Sequence, residues 1–451
     1  MTLLLTHAKV VTWGTPSRIL EDHALLIEDS RIQQIGPTAD LWSQYPGVET
    51  LDAHGQLAMP GNICAHTHFY GAYARGLAIP GPAPRNFPEI LQRLWWPLDK
   101  SLDEKAVRFS ALVCLIDAIK HGTTTLIDHH ASPNFIDGSL DVIADAVDEA
   151  GLRAVLCYEV TDRDGVAKAE AGIRENVRFL RAVKDRPLLG ASFGLHASLT
   201  LSDETLEKCV AAAEGLDTGF HIHVAEHEVD EEDSLQKCGE RIVNRLQRLH
   251  ILGPKTIVAH AVHVNAEERA ILKDTSTWVT HQPRSNMNNA VGAAALDTML
   301  AEGIKLALGN DGFSNNMLED WKAAYLLHKV ANRDPRLAPG DANARMATEN
   351  NARLAEVFFA GQTIGKLVPG AAADVILVDY HPFTPLTPGN LPWHIIFGFE
   401  ASMITTTIVA GKILMQDRQL RTLDEATIAD EARAYAPVVW ERYQQFAQQT
   451  L

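Results

Sequence analysis

Cysteine is scarce in this chain. Its five residues, Cys64, Cys114, Cys157, Cys209 and Cys238, are scattered and odd in number, and no Cys-x-x-Cys pair occurs. That excludes a disulfide framework and a zinc knuckle, and leads us to expect a reducing compartment, the cytoplasm. Long apolar runs are missing too: none approaches the ~18–20 residues of a membrane span, so no membrane partner is expected. The opening "MTLLLTHAKVV" lacks the charged start, apolar core and cleavage site of a secretory signal. Basic residues are outnumbered, 40 Lys and Arg against 57 Asp and Glu, for a formal net charge of -17. Such a surface repels a phosphate backbone, so no nucleic-acid partner is expected. The acidity does not itself indicate an acidic site, because surface charge mostly serves solubility. Neither a repeat of fixed period nor a low-complexity segment is present.

What the chain does have is 46% apolar and 22% charged residues over 451 positions, the composition of a soluble globular enzyme. That length exceeds one ordinary core and suits a barrel of roughly 250–300 residues with a smaller companion domain. The stretches "LLLTHAKVVTW" and "HALLIEDSRIQQIG" are alternating and β-branched, the second with a turn at "EDSR", and predict paired strands. After "AMPG" (Ala58 to Gly61) the rhythm changes. Eight short apolar runs follow: "NICAHTH", "TTTLIDHH", "RAVLCYE", "LLGASFGLH", "GFHIHVAE", "TIVAHAVHV", "TWVTHQPRSN" and "KLALGND". Between them lie segments of helical period, such as Glu104 to Lys120, Leu140 to Ala150, Asp203 to Glu214 and Arg241 to Leu249. "SLDE" (Ser101 to Glu104) predicts a capping box for the first of these. Eight strand–helix units imply parallel strands and close a (β/α)8 TIM barrel, giving an α/β protein. We assign residues 61–360 to the barrel, including a helical stretch from Leu318 to Phe359. Residues 1–60 and 361–451, whose tail reverts to β character, are assigned to a small β-sandwich domain built from both chain ends, with a C-terminal helix.

In such a barrel the chemistry sits at the C-terminal ends of the strands. Residues two apart on a strand share a face, so His66 and His68 project side by side from the first strand. Strand five ends with His221, His223 and Glu226, strand six carries His260, strand seven His281, and strand eight ends at Asp311. A lone histidine is more often a satisfied polar residue than a ligand; the joint pattern reverses that. His66, His68, one strand-five histidine and Asp311 would supply three nitrogens and an oxygen to a catalytic zinc or iron ion with an open position. Water on such an ion loses a proton near neutral pH and becomes a nucleophile. Glu226 is then free to move protons, and His260 to orient the attacking group or polarise its target. His263 reads as a loop or supporting residue, and His281 as either a substrate contact or a support.

The stretches "MPGNICAHTHFYGAYARG", "LWWPLD", "LIDHHASP", "HIHVAE", "SNMNNAVG", "LGNDGFSNNM" and "HIIFGF" resemble the metal-dependent amidohydrolase superfamily. Within it they resemble the cytosine/guanine deaminase and chlorohydrolase-like branch, and there the SsnA-type aminohydrolases. The likeness spans essentially the whole chain. It implies one divalent metal, zinc ahead of iron, held by His66, His68, His223 and Asp311, and so selects His223 over His221. Strand four lacks the lysine that bridges two metals in other branches. The resemblance also implies catalytic roles for Glu226, His260 and Asp311, a substrate-lining role for His196, and a dimer or higher homo-oligomer.

Tyr70, Arg75, His130 and Asn315 are expected to contact the substrate at the pocket entrance, alongside Phe69, His129, Arg284 and Asn286. His130 is placed nearer the substrate than His129, which is read as structural. Trp95 and Trp96 could stack on a planar ring or simply pack beside Pro97. The expected reaction is hydrolytic deamination of a heterocyclic amidine, a purine-, pterin- or pyrimidine-like ring. The same machinery would serve a cyclic amide or a chloro-substituted heterocycle. A catalytically inactive relative acting as an interaction protein is the rival of another class, and the full set of ligands argues against it. "GASFG" (Gly190 to Gly194) matches a serine-hydrolase elbow, but no helix pattern follows Ser192 as that turn requires. The HxE and PCxxC pair of zinc cytidine deaminases is absent.

Overall fold

A computed structural model describes residues 2–449. In it the eight apolar runs are parallel strands in two hydrogen-bonded groups. The first group is Asn62–Thr67, Thr123–Asp128, Arg153–Leu156 and Leu189–Ala191. The second is Phe193–Ala197, Phe220–Val224, Ile257–His260, Trp278–His281 and Lys305–Leu308. The fourth run contributes to both, because it is interrupted at Ser192. Parallel bridges from Val160 to Leu195 and from Thr67 to Asp311 join the groups on both sides into one closed barrel. At the second seam the amides of Asn310 and Asp311 both donate to the His66 carbonyl at 3.0 Å, and the His68 amide donates to the Asp311 carbonyl at 3.1 Å. Gly309 permits this approach: a Cβ there would come within 2.7 Å of the His66 oxygen.

Amphipathic helices such as Ser139–Ala150 and Val166–Ala182 cover the outside of the barrel. The helix Glu104–Lys120 corrects one expectation. It is capped by Asp103, whose carboxylate accepts the Ala106 amide at 3.0 Å, and not by a box starting at Ser101. Ser101 is already committed, its hydroxyl donating to the Pro97 carbonyl at the end of the preceding helix Trp96–Ser101. The stretch after strand eight is helical over Met317–Asn332 and again from Gly340, broken between by a turn at Arg333.

The chain ends form one continuous nine-stranded sheet. The strand Thr2–Val11 pairs antiparallel with Ile19–Glu28 and parallel with both Glu49–Asp52 and Leu57–Pro60. The tail strand Val375–Val378 enters beside Leu57–Pro60, antiparallel to it. Alternation serves two cores: Leu3, Leu5, Leu25 and Ile27 face one, while Leu4 and Leu26 meet Leu41 of the helix Thr38–Gln44 on the other. The C-terminal helix Glu425–Ala447, expected with the β domain, packs on the barrel. Tyr435 and Arg442 bond to Asp103, and the Tyr443 hydroxyl donates to the Arg93 carbonyl. Between sheet and barrel, Arg153 at the start of strand three pairs with Asp374 at 3.1 Å, both buried.

Candidate metal centre and its pocket

Barrel closure brings strands one and eight together, and with them His66, His68 and Asp311. Parallel register sets His223 beside Ala259, with Val224 opposite His260, on strands five and six. Three of these strand ends leave the β region. Ala225, His260 and Asp311 have φ of 49°, 74° and 60°, left-handed conformations that are costly for residues with a Cβ and that cluster at functional sites.

The imidazole tautomers follow from their partners. His68 Nδ1 lies 2.6 Å from the His129 carbonyl, and His223 Nδ1 lies 2.7 Å from that of His196. A carbonyl only accepts, so both Nδ1 atoms carry hydrogen, and in the neutral rings both Nε2 atoms present lone pairs. Those Nε2 atoms stand 3.1 Å apart. Asp311 Oδ1 is 2.9 Å from His68 Nε2 and 3.3 Å from His66 Nε2. Four electron-rich atoms facing one another in a buried space need positive charge among them. A proton meets part of that need: burial opposes charge on His68, but the hydrogen bond and charge of Asp311 carry its pKa up to about 9. Burial works against the Asp311 carboxylate too, yet the adjoining His66 and His68 imidazoles hold its pKa well below the usual range. The donor set of three imidazoles and one carboxylate fits a divalent cation. The buried His66 Nε2, left without a hydrogen-bond partner, is consistent with that fit.

Glu226 stands beside this cluster. Burial pushes its pKa up to about 7, against the pull of His260 and with the push of Asp311. Its Oε2 is 3.5 Å from His260 Nε2, and its Oε1 accepts from Asn289 Nδ2 at 3.2 Å. His260 donates through Nδ1 to Asn286 Oδ1 at 2.9 Å, leaving its own Nε2 unpartnered. Ser285 donates to Asp311 Oδ2 at 2.5 Å, and Asn289 donates to Ser285 at 3.2 Å. One turn of helix, one residue beyond Pro283–Asn288, therefore braces both carboxylates. Opening onto the cluster is a pocket walled by Tyr70, Phe87, Trp95 and Trp96, with His196 and Glu226 also lining it.

Of the expected substrate contacts, Tyr70 and His196 line this pocket. Arg75 and Asn315 line a neighbouring cavity that shares His68, Trp95 and Asp311 with it. The Asn315 amide is engaged by the Cys114 carbonyl and Asn310. His130 is 1% exposed, bonds to Ser132 at 2.8 Å and packs against Tyr70 and Tyr158. His129 takes the inward position, packed among His66, His68, His221 and His223. The reason is alternation, since neighbours on a strand face opposite ways. His221 lies 2.9 Å from His66 Nδ1, below His223 and supporting the neighbouring ring. His281 pairs with His328 at 3.0 Å, and His263 bonds the Val291 carbonyl. Ser192 is buried between two strand segments, Leu189–Ala191 and Phe193–Ala197, followed by a 3-10 turn at Ser198–Thr200 and an α-helix only from Asp203, so it does not sit on a strand-to-helix elbow. Ser285, Asn289 and Glu159 were not anticipated from the sequence. Glu159 carried a usable signal, because "CYE" ends strand three as "VAE" ends strand five.

A closed (β/α)8 barrel with imidazoles and carboxylates gathered at its strand ends is the framework of a hydrolase. The chain belongs to the amidohydrolase family, whose profile matches residues 57–414, and it is a hydrolase of C–N bonds in a family that depends on metal. It is 32% identical over 444 residues to a 5-methylthioadenosine/S-adenosylhomocysteine deaminase of Syntrophomonas wolfei, covering 97% of this chain and 99% of that one. It is also 32% identical over 441 residues to a 5'-deoxyadenosine deaminase of Methanosarcina mazei, covering 96% and 97%. Among solved structures, an adenosine deaminase from Xanthomonas campestris with bound zinc superposes with a TM-score of 0.85 at 25% identity, covering 97% of this chain and 98% of that one. Among the described residues, no helix is long and apolar enough to cross a membrane.

Proposed function

We propose that this protein is a zinc-dependent aminohydrolase that deaminates a purine-like heterocycle. His66, His68, His223 and Asp311 would hold the ion, with iron as the alternative metal. The observation that carries the reading is the meeting of the His68 and His223 Nε2 lone pairs, 3.1 Å apart, with Asp311 Oδ1 beside them. A divalent cation there supplies an acidified water as nucleophile. The remaining steps belong to side chains. Glu226, poised by burial near neutrality, gives a proton to the ring nitrogen adjoining the carbon under attack. Water adds at that carbon and gives up one proton to Asp311, while His260 steadies the oxygen as it gains charge. Asp311, held by Ser285, passes that proton to the amine, which departs as ammonia, and the remaining hydroxyl proton returns to Glu226 as the ring carbonyl forms. His196 and Tyr70 would orient the ring against Trp95 and Trp96, and Arg75 would meet a polar substituent. The barrel domain spans 61–360 and the composite β domain 1–60 with 361–451, in a cytoplasmic homo-oligomer.

The test is metal content together with ammonia release from 5'-substituted adenosines, aminopurines, pterins and pyrimidines. One equivalent of zinc and ammonia from a purine-like ring is expected. Bound metal without ammonia would turn the reading toward a cyclic amide or chloro-heterocycle. A protein that takes up no metal would end it. Zinc should also stabilise the fold, by about 2.7 kcal/mol at a free concentration a hundredfold above Kd, seen as a rise in Tm.

A further inference from the structure

We propose that Glu159 is a positioning residue that holds His68, on the metal side of the site, and His196, on the pocket side, in fixed relation. This rests on the reading of His66, His68, His223 and Asp311 as a metal site. Glu159 lies just beyond the third barrel strand and is 1% exposed. Neither of its carboxyl oxygens has a hydrogen-bond partner. Three imidazoles from three other strands surround it instead. Oε1 is 3.4 Å from His68 Nδ1 and 3.3 Å from His129 Nδ1, and Oε2 is 3.7 Å from His196 Nε2. Burying a carboxyl without an amide or hydroxyl to satisfy it is unfavourable, and a residue kept only for packing would be apolar.

The tautomers define what Glu159 faces. His129 Nε2 lies 3.0 Å from the His221 carbonyl and so carries hydrogen, leaving Nδ1 bare toward Glu159. Thr200 gives its own proton to the Ala197 carbonyl, so His196 Nδ1 must donate to Thr200 at 2.7 Å, and its bare Nε2 also faces Glu159. His68 is the reverse case, with its Nδ1–H directed at the His129 carbonyl and toward Glu159 Oε1. Glu159 therefore touches the outer nitrogen of one proposed ligand and the inner nitrogen of a pocket-wall residue. Partners of that kind orient a ligating imidazole, and their removal typically lowers metal affinity 10–100-fold.

The experiment compares full-length wild type, E159L and E159Q by zinc competition against a chelator, with Tm of the metal-free proteins measured in parallel. Leucine removes both oxygens, whereas glutamine keeps an acceptor for His68 and brings an N–H that can donate to a bare nitrogen. We expect E159L to bind zinc roughly 10–100-fold more weakly, E159Q to stay close to wild type, and metal-free Tm to be unchanged in both. KM for the deaminated substrate should rise in E159L, because His196 loses its backing. If E159L does not fold, E159M, unbranched along the same path, takes its place. Wild-type zinc affinity in the apolar variant would overturn the inference. So would E159Q as weak as E159L, or an affinity loss matched by a fall in metal-free Tm. A wild type that binds no zinc would instead overturn the metal reading on which this one stands.

Discussion

The third barrel strand begins at Arg153 and is followed closely by Glu159, and both side chains are buried. At the base, Arg153 meets Asp374 through two guanidinium nitrogens, bonds Gln362 through the third, and stacks over Phe359 at 5.0 Å. Asp374 also accepts the Ala410 amide at 2.8 Å. At the other end Glu159, His129 Nδ1, His66 Nε2 and His260 Nε2 all lack hydrogen-bond partners. The base is a finished network that joins barrel to sheet, whereas the top keeps its donors and acceptors uncommitted. Buried polar atoms are normally satisfied, so a cluster left open is the part of the fold shaped for something other than folding.

Breaking each end should therefore give opposite signatures. The largest effect is expected from Glu226→Gln: kcat should fall roughly 10²–10⁴-fold with zinc content and Tm unchanged. A variant that retained wild-type turnover would remove Glu226 from proton transfer. Arg153→Met should do the reverse, lowering unfolding free energy by about 3–5 kcal/mol because Asp374 is left buried and unpaired, while zinc affinity persists. Adding Asp374→Leu should restore most of that stability in urea titrations; if the pair of substitutions is no better than Arg153→Met, the charge pair is not the seam's main tie.

The smallest effect sharpens the contrast by pH. Asp230 lines the pocket, and burial pushes its pKa up to about 7 despite bonds from the Ala225 and Leu199 amides. A carboxyl whose folded pKa exceeds its unfolded value favours the fold when protonated. Its contribution is complete below about pH 4 and lost as pH rises toward 7. Asp230→Asn should therefore gain stability relative to wild type as pH is raised across that window. Urea midpoints that shift in parallel for both proteins would rule this out.

Much of this was legible from sequence because strand period and barrel topology act together. Alternation places His66 with His68, and the strand-end rule places Asp311 and Glu226 at the same mouth. Where local pattern competes with itself, spacing alone does not choose. "DHH" offers two histidines on opposite faces, and nothing local says which face is inward. The packing of strand two against His221 and His223 decides for His129. "SLDE" offers two caps, and a proline-started turn takes Ser101 first. Ser285 and Asn289 lie four apart on a short helix and show no chemistry until they meet Asp311 and Glu226 from other strands.

The sequence by itself determined the α/β alternation, the strand count and the residue types at each strand end, since these follow from periods of two and 3.6 along one chain. Tertiary structure alone decided which imidazole nitrogen is bare. That depends on carbonyls of His129, His196 and His221, brought from other strands by closure of the barrel. A tautomer is fixed by a neighbour in space, and no spacing in the chain records it.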